Sequence, residues 1–383
     1  MKENYMEKNE TRKIASIGIL ITSVSNFGEK GLYNSQEIGL AKALSTYFER
    51  VLIFKLVDKK CNVKRENVSG YPGVLIKYIP AVNFGINGIV KMRELDNAMV
   101  ALIHFSDTQL SVPAVYKWCK KNEIKYIPYI GVLESHSNNI IKRVITNTFF
   151  INNLQIYKKC QCCVKTPDVA DKLKSKGVDT ISLTPVGLDT DLLNQKYLYS
   201  DVANIKSKYG YDERNRILLF VGRLTEEKQP EKMIDIFSDI YMQNPDYRLL
   251  MIGNGKLKEK VRDKIVKRNI DHAVRLIESV PNKDMWELYR IADCFVNLNS
   301  QEIFGMAILE AMYYEGSVIA WDAPGPRYII EDGVSGKIVN NDETIKEVIL
   351  SDKRFGKAAH EHIEEKFTWT GMAKKIYDIL SEG

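Results

Sequence analysis

Apolar runs of strand length alternate with stretches of helical period along the whole chain, a pattern that predicts an α/β protein with parallel sheets. The run IASIGILI at 14–21 predicts a first buried strand. After it come the loop SNFGEKGLYN and the helical SQEIGLAKALSTYF. The strands VLIFKLV, VLIKYIP and MVALIHF follow, then a helix around VPAVYKWCKKN and the strand KYIPYIG. The second half starts again with RILLFVG and the helix PEKMIDIFSDIYMQ. It continues with YRLLMIG, VRLI, the helix KDMWELYRIA, the strand CFVNL, the helix-like FGMAILEAM and the strand SVIAW.

Each half reads as its own doubly wound, Rossmann-like unit, and the joint falls near LTPVGLDTDLL (183–193), where a strand ends in Pro and Gly. The expected division is 1–185 for the first domain and 186–365 for the second. A C-terminal helix over 366–383 is expected to pack back on the first domain. Sheets of this kind bind ligands beyond the carboxyl ends of their strands, so two units in tandem are expected to face each other across a cleft.

Composition changes this picture little. A chain of 383 residues with 45% hydrophobic and 27% charged residues is globular and long enough for two cores. Its net charge of +6 suits anionic small molecules or a membrane surface as well as nucleic acid, and no nucleic-acid motif is present. Six cysteines in so long a chain do not read as a disulfide framework. The cluster CQCC (160–163) lacks a second ligand pair at metal-site spacing and runs into VKTP, so a buried strand is expected and no metal. The leader before residue 14 carries three glutamates, which argues against a signal peptide, and no run has the length of a membrane span. A cytoplasmic protein is expected.

The segment SQEIFGMAILEAM (300–312) carries the most informative chemistry. A helix starting near Phe304 aims unpaired backbone N–H groups into the expected cleft, a ready site for phosphate. Glu302 stands before that helix and Glu310 inside it, eight residues or about 12 Å of helical rise further on. Carboxylates accept hydrogen bonds from paired sugar hydroxyls. Two of them flanking an anion site suit a diphosphate with a sugar at each end, the shape of a nucleotide sugar. The alternative is a capping Glu302 and a solvent-facing Glu310. FVGRLTEEKQP (220–230) adds Arg223 and Lys228 at the carboxyl end of a buried strand, where cations stabilise charge developing on a diphosphate leaving group.

FVGRLTEEK, GNG (253–255), ADCFVNLNSQEIFGMAILEAM and APGPRYIIEDGVSG resemble the donor domain of retaining GT-B glycosyltransferases of family 4. VKTPDVADKLKSKGVDTISLTPVGLDTDLL resembles that family's passage between domains. The similarity spans about residues 160 to 340. In the first half it rests on GEKGLYNSQEIGLAKAL, with Gly28 and Gly31, as the acceptor-side glycine loop and helix. The resemblance implies that Arg223 and Lys228 grip the donor diphosphate, Glu310 the ribose hydroxyls and Glu302 the transferred sugar. Gly222, Gly253 and Asn254, with the backbone N–H groups of Phe304, Gly305 and Met306, would complete the donor site. It further implies retention of configuration without metal or cofactor. Reaction on the donor's front face, with the leaving phosphate helping to deprotonate the acceptor, would need no enzymic nucleophile.

The chain departs from that pattern in places. Gln229-Pro230 stands where the family commonly has glycine after the loop lysine, and little effect is expected because Pro is tolerated at a first helical position. Glu278 replaces a glycine on the base side, which leaves the base open. Gly131 occupies the place of a frequent histidine, and His136, five residues on, is the substitute candidate or an ordinary loop residue. The acids of DTD (189–191) and the histidines of HEH (360–362) are expected to be structural. From 135 to 167 there is no acid, while Lys142, Arg143, Lys158, Lys159 and Lys165 accompany Phe149, Phe150 and Tyr157. That stretch suits either a peripheral contact with anionic membrane or a packed helix with solvated lysines. The expected activity is transfer of a hexose-type sugar, from a UDP-sugar by preference, to a glycan acceptor, lipid-linked in surface polysaccharide synthesis. An inactive GT-B partner subunit and a nucleotide-sugar epimerase are the alternatives.

Overall fold

Strand β1 (Ile14–Ile21) buries Ile17, Ile19, Leu20 and Ile21 on both of its faces, as a strand inside a parallel sheet must when helices cover both sides. In the computed structural model, residues 14–24, 36–84, 87–106, 110–133, 140–190 and 199–381 are described. The chain divides into two units, one formed by residues up to Gly187 together with Trp369 onward, the other by Leu188–Thr368.

The first unit continues with β2 (Phe48–Asp58), β3 (Lys64–Val68), β4 (Tyr71–Phe84), β5 (Asn87–Ile89), β6 (Ala101–Phe105), β7 (Lys125–Ile130), β8 (Cys162–Val164) and β9 (Ile181–Leu183). These nine strands form one sheet in the order β3-β4-β2-β1-β6-β7-β8-β9, with β5 paired to β4. Only the β3–β4 and β4–β5 pairings are antiparallel. The sequence pattern did not announce β3, because KRENV has no apolar face and sits at the sheet edge, where charged residues discourage further pairing. The last helix, Trp369–Ser381, belongs to this unit. Tyr377 stacks on Tyr47 at 4.8 Å, and Lys125 Nζ donates to the Ile379 carbonyl at 2.7 Å.

The second unit contains β10 (Arg216–Val221), β11 (Tyr247–Ile252), β12 (Val274–Ile277), β13 (Cys294–Asn297), β14 (Val318–Trp321) and β15 (Lys337–Val339). Their order is β12-β11-β10-β13-β14-β15, all parallel. The chain winds outward from β10 through β11 to β12, then returns to β13 and winds the other way. The loops after β10 and β13 therefore part at the switch point, where doubly wound sheets hold their ligands. Helix Pro230–Gln243 starts with Pro at its first turn and packs Met233, Phe237 and Ile240 into the core at helical spacing.

The segment around CQCC is buried, with Cys162 and Cys163 in β8. Burial pushes the Cys160 and Cys163 thiols up to about 12, away from the thiolate a metal would need. Among the described residues, no helix is long and apolar enough to cross a membrane.

His104 in β6 is fully buried, with Nε2 3.1 Å from Thr22 Oγ1 and Nδ1 2.7 Å from the Tyr126 hydroxyl. Desolvation lowers its pKa to about 3, so the folded state holds it neutral. An unfolded chain protonates histidine near 6.5, hence it binds the extra proton between the two values and stability falls as pH drops through that window. Urea unfolding at pH 6 and pH 4 should show the wild type losing about 1 kcal/mol more per pH unit than His104→Gln. Equal slopes would mean that His104 does not sense acid.

Candidate functional site

The loop after β10 runs through Gly222 and Arg223 into a single 3-10 turn, Glu226–Lys228, and the loop after β13 carries Glu302. The two meet at the switch point. Lys228 Nζ donates to Glu302 Oε2 at 2.6 Å, with side chains 22% and 15% exposed. The same oxygen accepts from Asn299 Nδ2 at 3.2 Å and Asn297 Nδ2 at 3.4 Å. Both asparagines are buried and shape the loop through their other ends. Asn297 Oδ1 accepts the Asn299 N–H, and Asn299 Oδ1 accepts the Gln301 N–H, each at 3.0 Å. These are successive Asx turns, in which a side chain replaces the backbone partner two residues on.

The helix in this segment starts at Met306, two residues later than its sequence suggests, with Gly305 before it at φ +103. A side chain at Gly305 would be strained in that conformation and would meet Ile308 Cδ1 at 2.9 Å. Ile308 and Leu309 both donate to the Gly305 carbonyl. The N–H groups of Phe304, Gly305, Met306 and Ala307 have no acceptor among the described residues, although Phe304 and Gly305 are buried. Buried N–H groups find partners in proteins, so this run is suited to an anion or to water.

Glu310 lies within the helix, half-buried, and the fully buried Tyr289 donates its hydroxyl to Oε2 at 2.8 Å. Neither acid follows the bland alternative, since Glu302 binds side chains rather than capping the helix and Glu310 is held by a buried tyrosine. Arg223 is 74% exposed and pairs with Glu227 at 3.2 Å, apart from the Lys228–Glu302 pair. The turn after β11 comes close to the loop after β10. Leu224 N–H donates to the Asn254 carbonyl at 3.0 Å, and a Cβ built on Gly253 would lie 1.8 Å from the Gly222 carbonyl oxygen. Asn254 Nδ2 also reaches Glu278 Oε2 at 3.3 Å, and Lys258 beside Glu278 holds that carboxyl below its usual pKa.

The pair Gln229-Pro230, from which little effect was expected, shapes the backbone at Gln229. Pro230 begins its helix without difficulty, but Gln229 is left-handed, φ 52 and ψ 47, a conformation glycine adopts at no steric cost. Its Nε2 donates to the Leu298 carbonyl at 2.9 Å, joining the two loops of the switch point. Asn297, Asn299 and Tyr289 escaped the sequence analysis, as did the part played by the Gln229 side chain. The spacing Asn-Leu-Asn before Ser was the available signal, because asparagines two apart favour consecutive Asx turns.

Gly28, Gly31 and His136 lie outside the described residues, as does Asp191 of DTD. Asp189 is half-buried. His360 bonds the Tyr313 carbonyl while His362 faces Glu331 at 3.8 Å, so the two histidines serve different neighbours. In the basic stretch, the aromatics and the last lysines follow the packed-helix alternative. In helix Ile140–Tyr157, Phe150 and Tyr157 are buried in the core of the first unit. Lys165 lies over the rings of Tyr129 and Phe105, at 5.2 and 5.8 Å. Among the described side chains of this helix, Val144 and Ile151, 58% and 61% exposed and two helical turns apart, face water together with Thr148, Asn152 and Gln155, followed by the exposed Lys158 and Lys159.

Residues 201–368 match the family of glycosyl transferases group 1. An uncharacterized glycosyltransferase of Methanocaldococcus jannaschii is 29% identical over 332 residues, 82% of this chain and 87% of that protein. The alpha-monoglucosyldiacylglycerol synthase of Acholeplasma laidlawii is 28% identical over 244 residues, 62% of this chain and 60% of that protein. Among solved structures, sucrose-phosphate synthase from Thermosynechococcus elongatus superposes with a TM-score of 0.73 at 16% identity, covering 97% of this chain and 99% of that one. Anabaena HepE, solved with UDP and glucose, gives a TM-score of 0.69 at 14% identity, covering 96% of this chain and all of that one. The fold is thus GT-B, and residues 201–368 carry the match to the glycosyl transferases group 1. The chain is of the glycosyltransferase class.

The two glycines at the back of the site should respond differently to a methyl group. At Gly253 the new Cβ would collide with backbone, whereas at Gly222 it would meet the Lys228 methylenes at an ordinary 3.7 Å. Gly253→Ala should cost about 1–3 kcal/mol in urea unfolding, with Gly222→Ala within about 0.5 kcal/mol of wild type. Equal costs would contradict the close approach of the two loops.

Proposed function

We propose that the chain is a retaining glycosyltransferase that moves a hexose-type sugar from a nucleotide sugar, UDP-sugars favoured, to a lipid-linked glycan acceptor in surface polysaccharide synthesis. The observation that carries the donor assignment is the meeting of Lys228, Glu302 and an unpaired run of backbone N–H groups at the switch point of the second sheet. Cation and N–H donors suit a diphosphate, and a carboxylate held among amides suits sugar hydroxyls.

In the proposed reaction Lys228, Arg223 and the N–H groups of Gly305, Met306 and Ala307 stabilise charge as it develops on the leaving diphosphate. Glu302 orients the sugar, and Glu310, fixed by Tyr289, binds the ribose hydroxyls. The C1–O bond to the diphosphate breaks, the acceptor hydroxyl bonds to C1 on the same face, and its proton passes to the leaving phosphate oxygen. This route uses no enzymic nucleophile, no cofactor and no metal.

A UDP-sugar donor is supported by Anabaena HepE, a protein of the same fold solved with UDP and glucose. The lipid acceptor is supported by the name of the Acholeplasma relative, a diacylglycerol glucoside synthase. It is supported also by the exposed Val144, Ile151, Lys158 and Lys159, apolar and basic side chains that together suit the surface of an anionic membrane at its cytoplasmic face.

Three measurements test the reading. Calorimetric titration with UDP in chelator should give the same affinity as without it, and binding lost in chelator would remove the metal-free claim. Glu310→Gln should weaken UDP by about tenfold or more through loss of a charge-assisted bond to ribose. Glu302→Gln should instead lower turnover while leaving UDP affinity unchanged or tighter, since Lys228 is released for phosphate. Equal weakening of UDP by both would reverse the assignment of the two ends. Val144→Ser and Ile151→Ser combined with Lys158→Gln and Lys159→Gln should reduce co-sedimentation with anionic vesicles, as should raised salt. Equal pelleting of wild type and variant would favour a soluble acceptor.

A further inference from the structure

Glu302 Oε2 carries every hydrogen bond recorded for this carboxylate: one from Lys228 and two from amides. Oε1 has no partner among the described residues. Lys228 is also the cation best placed for a diphosphate, and one ammonium shared between a carboxylate and a doubly charged phosphate binds each less tightly. When the diphosphate arrives, the Lys228–Glu302 bond must weaken. Something else must then keep the carboxylate in place and charged.

We propose that Asn297 and Asn299 are the positioning residues that hold Glu302 after Lys228 has been drawn to the diphosphate, with Oε1 left to accept from the donor sugar. This rests on the functional reading above. Each asparagine is locked at its other end. Their Oδ1 atoms accept backbone N–H groups of the same loop at 3.0 Å, which also fixes which amide atom is the donor toward Glu302. At 8% and 5% exposure, neither amide has water to turn to if it loses Glu302, so both are committed to the carboxylate. The loop is anchored further by Gly325 N–H on the Glu302 carbonyl at 2.8 Å and by Gln229 on the Leu298 carbonyl. The arrangement fixes the carboxylate through neutral donors that a phosphate does not compete for, while the charged donor remains exchangeable. Asn297 and Asn299 touch neither sugar nor phosphate in this account; they act through Glu302.

The test uses the full chain with Asn297→Ser and Asn299→Ser, made separately. A serine hydroxyl still accepts the N–H two residues on, so the turns survive, but it is too short to reach Glu302. Calorimetry compares UDP with UDP-glucose. Each variant should bind UDP within about twofold of wild type and UDP-glucose about tenfold more weakly, the loss expected when one charge-assisted bond to Glu302 goes. Thermal midpoints close to wild type establish that the loop has kept its fold, a readout that a merely structural role would move. UDP-glucose affinity that stays at the wild-type level, or that falls only in step with UDP, overturns the proposal. A wild type that binds UDP and UDP-glucose equally would overturn the sugar-contacting role of Glu302, and this proposal with it.

Discussion

The 2.6 Å ion pair between Lys228 and Glu302 is the contact on which the site depends, because it ties together the two loops that the sheet topology separates. Winding outward from β10 and back to β13 leaves a gap between those loops at the carboxyl edge of the sheet. An unfilled gap there would leave an ammonium and a carboxylate partly desolvated and alone. Paired, they offset each other's desolvation and remain poised to exchange partners when an anion enters. The backbone close to the pair follows the same constraint. Gly305 turns the chain so that its N–H run is left unpaired, and Gly253 lets the β11 turn come against Gly222.

Support for the pair comes from neutral groups. Asn297, Asn299 and Gln229 bond either Glu302 or the loop that carries it, and none of them bears a charge. Under the proposed function, a site that accepts a diphosphate gains from this division, with fixed geometry resting on amides and the charged Lys228 left to exchange partners. Gln229 holds a left-handed conformation that glycine would adopt without strain, and the bond it makes to Leu298 is what glycine could not supply. Tyr289 plays the corresponding part at Glu310 from within the core of the same unit.

Much of this was legible in the sequence for a physical reason. Parallel strands buried on both faces appear as continuous apolar runs, and helix Pro230–Gln243 shows helical spacing together with a proline start. Arg223, Lys228, Glu302 and Glu310 stood out as candidates because they lie at the carboxyl ends of apolar strands or within an otherwise apolar helix. Apart from the Asn-Leu-Asn spacing, what was hidden had no local signature. Strand β3 is polar at four of its five positions and is a strand only through β4. Phe150 and Tyr157 could be read as membrane-facing or as core aromatics, since periodicity alone cannot say which side of a helix meets a core. The meeting of Lys228 with Glu302, 74 residues apart, is a product of strand order that neither segment encodes by itself.

The central claim is that this pair opens to receive a diphosphate, and a crystal structure of the chain with UDP bound tests it most directly. The account predicts the diphosphate at the carboxyl ends of β10 and β13, with Lys228 Nζ moved onto a phosphate oxygen and Glu302 still bonded to Asn297 and Asn299. UDP bound elsewhere, or bound there with the 2.6 Å Lys228–Glu302 contact intact and no phosphate on Lys228, would contradict it.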